Sequence, residues 1–217
     1  MENQFAWVDF YRKFAGVLLT YRNKREDLIT NVKQIYQNIG IDLPTLERDN
    51  ELVDIDPFTV FGLFNKSSMR VENRIKIITA VKEIFDVKAE VPSTFDSIPV
   101  LNNQNATFYY FSGERGDEDI EDLWSLYDSA LKYVDKQSKE NKAQMSKYFD
   151  LVVNKKGIGT AKITMGLYWI APDTFLNMDS RNEWYIYKSG KMPADVIKAL
   201  PVAERKITAD KYFAISE

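Results

Sequence analysis

Apolar residues recur at three- and four-residue steps along most of this chain, the period of a helix and not of a strand. Trp7, Tyr11, Phe14, Leu18 and Tyr21 set the pattern. Leu28, Val32, Ile35 and Ile39 repeat it, and Gly40 suits a helix stop. A short apolar helix is expected over 58–64. A longer one is marked by Val71, Ile75, Ile78, Ile84 and Phe85. Ile120, Leu123, Trp124, Tyr127, Leu131 and Val134 give another, led by Asp117, Glu118 and Asp119, which favour a helix start. Met145, Phe149 and Val152 belong to the next helix. Ile163, Leu167 and Ile170 belong to one that ends before Pro172. Against this stands one β-like run, Thr107 to Phe111, so the expected fold class is mainly α with a small β element.

Prolines at 92 and 99 bracket an irregular stretch, and the chain divides near 87–94. The expected organisation is a helical subdomain over 1–90 and a second over 91–198, with 199–217 as a linker.

Charge is segregated along the chain, although the net charge is only -3. Residues 42–56 hold six acids and one Arg, and 114–128 hold seven acids and Arg115. Residues 132–162 hold eight Lys against Asp135, Glu140 and Asp150. One reading is solvated helix faces. The other is a basic stripe that meets phosphate while the acidic segments face away.

Much chemistry is excluded. The chain has no His and no Cys, which removes Ser-His-Asp and Cys-His centres, thiol chemistry and His-bearing zinc sites. No P-loop motif and no EF-hand spacing occurs, so no nucleotide hydrolysis by the chain itself, no cofactor and no metal are expected. The longest apolar run, Phe14 to Thr20, is far too short to span a bilayer, and residues 1–10 lack the apolar core of a signal peptide. A cytoplasmic protein is the expectation.

Lys155-Lys156-Gly157-Ile158-Gly159-Thr160 lies between two expected helices. A Gly-x-Gly turn before a helix can aim backbone N–H groups at a phosphate, with Lys155, Lys156 and Lys162 as counter-charge. The segment resembles the hairpin of helix-hairpin-helix DNA-binding domains. Asp179 follows Gly159 by twenty residues, a spacing similar to that of the catalytic Asp in helix-hairpin-helix DNA glycosylases. Ala161 stands where the nucleophilic Lys of bifunctional members would be. The competing readings are a plain helix–helix turn, and Asp179 as the N-cap of a helix through 182–187.

A wider set of motifs covers most of the chain. Asp56 to Lys66, Asn73-Arg74, Ile98 to Asn103, Asp122-Leu123-Trp124, Thr164 to Ile170 and Leu176 to Asn182 occur in that order. Together they resemble the N-terminal region of McrB-like AAA+ proteins, the motor subunits of modification-dependent restriction systems used in phage defence. The resemblance implies a DNA-recognition module, non-catalytic by itself, ahead of an NTP-driven ring and a nuclease subunit. DNA, carrying a modified base in some cases, is then the expected partner. Lys155, Lys156, Gly157, Gly159, Thr160, Lys162 and Arg181 are the candidate DNA contacts. Asn102 and Asn103, with Asn105 beside them, can read a base edge, and neighbouring aromatics can stack a base. Asn102, Asn103, Tyr109, Trp169 and Asp179 therefore form the candidate base pocket, against a reading in which the aromatics are core and the Asn residues cap turns. A glycosylase-like enzyme and a protein–protein assembly domain remain as alternatives.

Overall fold

The structure, a computed structural model, describes residues 5–48, 51–103, 107–202 and 204–217. These form the helices α1 (Val8–Leu19), α2 (Arg25–Ile39), α3 (Pro57–Gly62), α4 (Val71–Ile84) and α5 (Asp119–Asp135). They continue with α6 (Lys139–Val153), α7 (Thr160–Ile170), α8 (Ser180–Lys188), α9 (Ala194–Ala199) and α10 (Ala209–Ser216). The mainly α class is as expected, and Gly40 ends α2 in the left-handed conformation, φ 64°.

The hub is α3, a helix too short to persist alone in water. Asp56 caps it, accepting from the amides of Phe58 and Thr59 at 2.8 and 3.0 Å, and Pro57 occupies the first turn, where no N–H is needed. All six of its residues are buried, against α5 and α7. Gly166 of α7 permits the approach: a Cβ there would lie 2.6 Å from Phe58 Cδ1. α1 lies across α5 and α7, α2 packs on α4, and α5 and α6 form an antiparallel pair joined by a tight connection.

Several expected features take another form. The run 107–111 is not a strand. Phe108 and Tyr109 are set into the core while Tyr110 and Phe111 stay half-buried, and the Phe108 amide is held by Thr59 Oγ1 at 2.8 Å. Among the described residues the one bridge is parallel, between Lys66 and Leu101. There the Leu101 amide donates to Asn65 O at 2.7 Å and the Ser67 amide to Leu101 O at 2.8 Å. The division near residue 90 does not separate two cores. One buried cluster runs from Trp7 to Phe213, because α1 and α3 from the first part bury their apolar faces on α5 and α7 from the second. Nor is 199–217 a linker. α10 docks on α6, burying Tyr212 and Phe213, with Ile207 and Ala209 buried ahead of them.

Charge segregation also has a structural answer. The acidic segment does not face away from the basic one. Lys155 reaches Asp119 at 2.7 Å and Asp122 at 2.6 Å on the first turn of α5. Arg22 bridges Glu121 and Asp128, and Arg25 bridges Glu121 and Asp54. The acids of α5 are thus the partners of cations from α1–α2 and from the turn before α7.

Candidate nucleic-acid interface

The Gly-x-Gly turn sits between α6 and α7, as a hairpin would. Gly157 has φ +78°, a left-handed conformation, and a Cβ there would fall 2.1 Å from Tyr110 Cε2. The ring of Tyr110 therefore sits against the turn, where a phosphate would have to approach. The helix start is occupied as well. The Thr160 amide donates to Arg205 O at 3.2 Å, and Thr160 Oγ1 accepts from the Ile207 amide at 3.0 Å. A Cβ on Gly159 would meet the same Arg205 carbonyl at 3.3 Å. The C-terminal segment thus fills the anion position at the N-terminus of α7.

The lysines follow suit. Lys155 is mostly buried between its two carboxylates. Burial pulls its pKa down, and the two carboxylates more than offset that, so the amine ends above its ordinary value. Lys162 is half-buried beside Phe108 and donates to Thr107 O, and its partial burial pulls its pKa down to about 8, with Asp56 acting in the opposite direction. Lys156 is exposed and lies over the Tyr110 ring at 4.5 Å. Of the residues expected to grip phosphate in this turn, only Lys156 presents its charge to solvent; Lys155 and Lys162 are structural, and Gly157, Gly159 and Thr160 serve packing.

The expected base pocket is not assembled. Trp169 is fully buried in the core, its indole N–H bonded to Pro99 O at 2.9 Å. Asn102 and Asn103 are exposed, and Asn103 Oδ1 accepts from the Ser68 amide at 3.3 Å, a turn-closing role. Asn105 lies outside the described residues. Asp179 caps α8: one carboxylate oxygen accepts from the amides of Arg181 and Asn182 at 3.0 and 2.9 Å, and the other from Asn177 Nδ2 at 2.9 Å. Tyr109 is buried with the Arg115 guanidinium 5.0 Å over its ring. It does share a cavity of about 260 Å³ with Lys162, Gly157, Tyr110, Glu114 and Arg48.

What sequence reasoning singled out only at Arg181 is the outer face of α8. Arg181, Trp184, Tyr185 and Lys188 are all exposed. At 3.6 residues per turn they fall within an arc of about 100°. The buried Ile186 points the other way, into the core. The signal was present in the sequence as two cations and two aromatics at i, i+3, i+4 and i+7.

The family described as a domain of unknown function, DUF8425, matches residues 7–217. This chain belongs to that family. The DUF8425 match runs through α9 and α10, in keeping with a C-terminal segment that completes the core. Among curated proteins and among solved structures, none matches the chain. Among the described residues no helix is long and apolar enough to cross a membrane, and no group of three or more acids is placed to hold a metal ion.

Proposed function

We propose that this chain is a DNA-recognition module, non-catalytic by itself, that works with an NTP-driven AAA+ ring and a nuclease subunit in a restriction system of the McrB-like kind. The observation that supports it is the outer face of α8, where Arg181 and Lys188 flank Trp184 and Tyr185 in full view of solvent. Cations that neutralise phosphates, set beside rings that contact bases or sugars, are the usual means of holding nucleic acid. The ordered motifs that resemble McrB-like N-terminal regions suggest the restriction context and the interest in a modified base. Asp179, the carboxylate on which a glycosylase-like reading depends, has both oxygens engaged by the α8 cap and Asn177, which favours binding over base excision.

The test is a titration of methylated and unmodified DNA at several salt concentrations, with wild type and with Arg181→Ala/Lys188→Ala. Binding that weakens in the double variant, with a salt dependence shallower by one to two released counterions (about 0.7–0.9 per phosphate contact), is the expected result. Equal binding by both proteins removes α8 from the interface, and no binding at all ends the reading.

A further inference from the structure

The face of α8 carries more than a general affinity for phosphate. We propose that Trp184 and Tyr185 form a stacking platform for unpaired bases, so that this face takes single-stranded nucleic acid in preference to duplex. The inference rests on the DNA-recognition reading above and names the form of nucleic acid the face takes.

Trp184 is 54% exposed and Tyr185 46%, large values for rings that a folded chain ordinarily buries. The other three tryptophans, Trp7, Trp124 and Trp169, are 0% exposed. Among the described residues neither Trp184 nor Tyr185 pairs with another ring or lies under a cation, whereas Trp7, Trp124 and Trp169 each pack against a ring or a guanidinium. About half of each of these two α8 residues is in contact with solvent.

The platform is also rigid, so little ordering is needed on binding. Asp179 fixes the first turn of α8, and Asn182 Nδ2 donates to Asn177 O at 2.9 Å. Ile186 is anchored in the core, and the Tyr187 hydroxyl donates to Pro201 O at 2.8 Å. Arg181 and Lys188 lie seven residues apart, about 10 Å along the axis, one on each side of the two rings. Lys191 follows, also exposed.

The chemistry then separates strand from duplex. A helix that reads paired DNA enters the major groove with side chains that hydrogen-bond to base edges. This face offers two rings where such a helix would carry Asn or Gln, and a ring stacks only on a base whose own face is free. Base–aromatic stacking tolerates any sequence and, at each ring, strengthens binding by about five-fold to a hundred-fold. A protein-docking face would share the two rings and Arg181 but is ordinarily depleted of Lys; here Lys188 and Lys191, both exposed, stand beside the rings.

Because Trp184 is exposed and the other tryptophans are buried, intrinsic fluorescence reports on this face directly. The experiment titrates the full chain with oligothymidylate, with oligouridylate of equal length, and with a mixed-sequence duplex, following both tryptophan emission and anisotropy of labelled strands. The expected result is saturable quenching by single strands at concentrations at least ten-fold below those needed for duplex. Comparing the two strands shows whether the sugar matters. Trp184→Phe should lose the quenching and keep most of the affinity, and Trp184→Ala should weaken single-strand binding about ten-fold or more. Duplex binding as tight as single-strand binding overturns this inference and leaves the DNA reading intact. Single-strand binding without any change at Trp184 overturns it as well. No binding to any nucleic acid overturns both. A blue shift that grows with protein concentration alone would mean that a second copy covers the face, and that too overturns it.

Discussion

The backbone amide of Thr160 donates to the carbonyl of Arg205 at 3.2 Å, so the segment 205–217 completes the start of α7. Deleting 199–217 should therefore not behave like removal of a linker. It would strip Ile207, Ala209, Tyr212 and Phe213 from the core, expose Phe149, which stacks on Tyr212, and free the α7 amides. Loss of two aromatic side chains alone costs several kcal/mol, on the order of 3–5 each when a cavity is left, comparable to the stability of a whole domain. The expected outcome is a chain without a cooperative thermal transition. A deletion that melts within a few degrees of the full chain contradicts this.

Lys155 provides a second case in which charge turns out to be architecture. Its two carboxylate partners, Asp119 and Asp122, are each 17% exposed at the side chain, and Lys155 is 13% exposed. Lys155→Ala leaves both acids facing each other in a mostly buried site. A loss of about 2 kcal/mol is expected, somewhat under that of a fully buried pair because some solvent reaches the site. DNA affinity and its salt dependence should stay where they were. Chemical denaturation and binding titrations of the same protein measure the two halves.

The helical course of the chain was legible in its period, and so were the Gly40 stop and the cap at Asp179, because each depends on residues within one turn of each other. The C-terminal helix was missed although its signs were local. Thr208 is an N-cap, and Ile207 with Tyr212 has the spacing of a hydrophobic staple around it. Eight residues among scattered charges gave too short a period to stand out. The motifs that prompted the McrB-like resemblance were legible as a set but not as to role. Asp56, Asn65, Arg74 and Leu101 converge on α3 and the Lys66–Leu101 bridge, so they define a core and not a ligand site. The Gly-x-Gly turn misled for a different reason. Its identity as an anion site depends on what lies over it, and Tyr110 and Arg205 come from 47 and 48 residues away in sequence. No local pattern carries that information. Arg181 stands out in the sequence as a cation at a helix start, whereas the rings beside it count only through their exposure.

Asp179 separates binding from base excision at the level of one atom. Its carboxylate caps α8, so Asp179→Ala should cost roughly 0.5–2 kcal/mol. Asp179→Asn should be almost neutral. The amide oxygen can keep both backbone bonds of the cap. The new NH₂ would face Asn177, whose buried Oδ1 has no hydrogen-bond partner among the described residues, so a flip of the Asn177 amide meets it. Thermal melts of the three proteins measure this order. Both methylated and unmodified duplexes should remain free of abasic sites on long incubation, and base release that disappears in Asp179→Asn would restore the catalytic reading.

Buried Asp56 and half-buried Lys162, beneath the 107–111 segment, set a pH dependence of stability. Burial pushes Asp56 up from its ordinary 3.8 to about 6, with bonds from Thr59 and Phe58 and the charge of Lys162 pulling the other way. Between about 4 and 6 the unfolded chain has released this proton while the folded chain still holds it. Stability from this group therefore falls as pH rises through that window, by up to about 3 kcal/mol at 1.36 kcal/mol per unit. Lys162 behaves in the mirror sense. Its folded value lies at about 8, below the ordinary 10.5, so between those values the unfolded chain binds a proton that the folded chain does not, and stability rises with pH. The two together predict a shallow minimum between about pH 6 and 8, superposed on the titration of the surface acids. A difference profile isolates it. Asp56→Asn keeps an acceptor for the α3 cap and has no charge to desolvate, so its melting temperature minus that of wild type should climb from pH 4 to 6 and then level. Lys162→Met removes the cation that favours Asp56 ionisation, and in that variant the Asp56 step should move above pH 6. A difference profile for Asp56→Asn that is flat across pH 4–6 would show that the carboxylate reaches solvent, and the closed Asp56–Thr59–Phe108 arrangement would then be wrong.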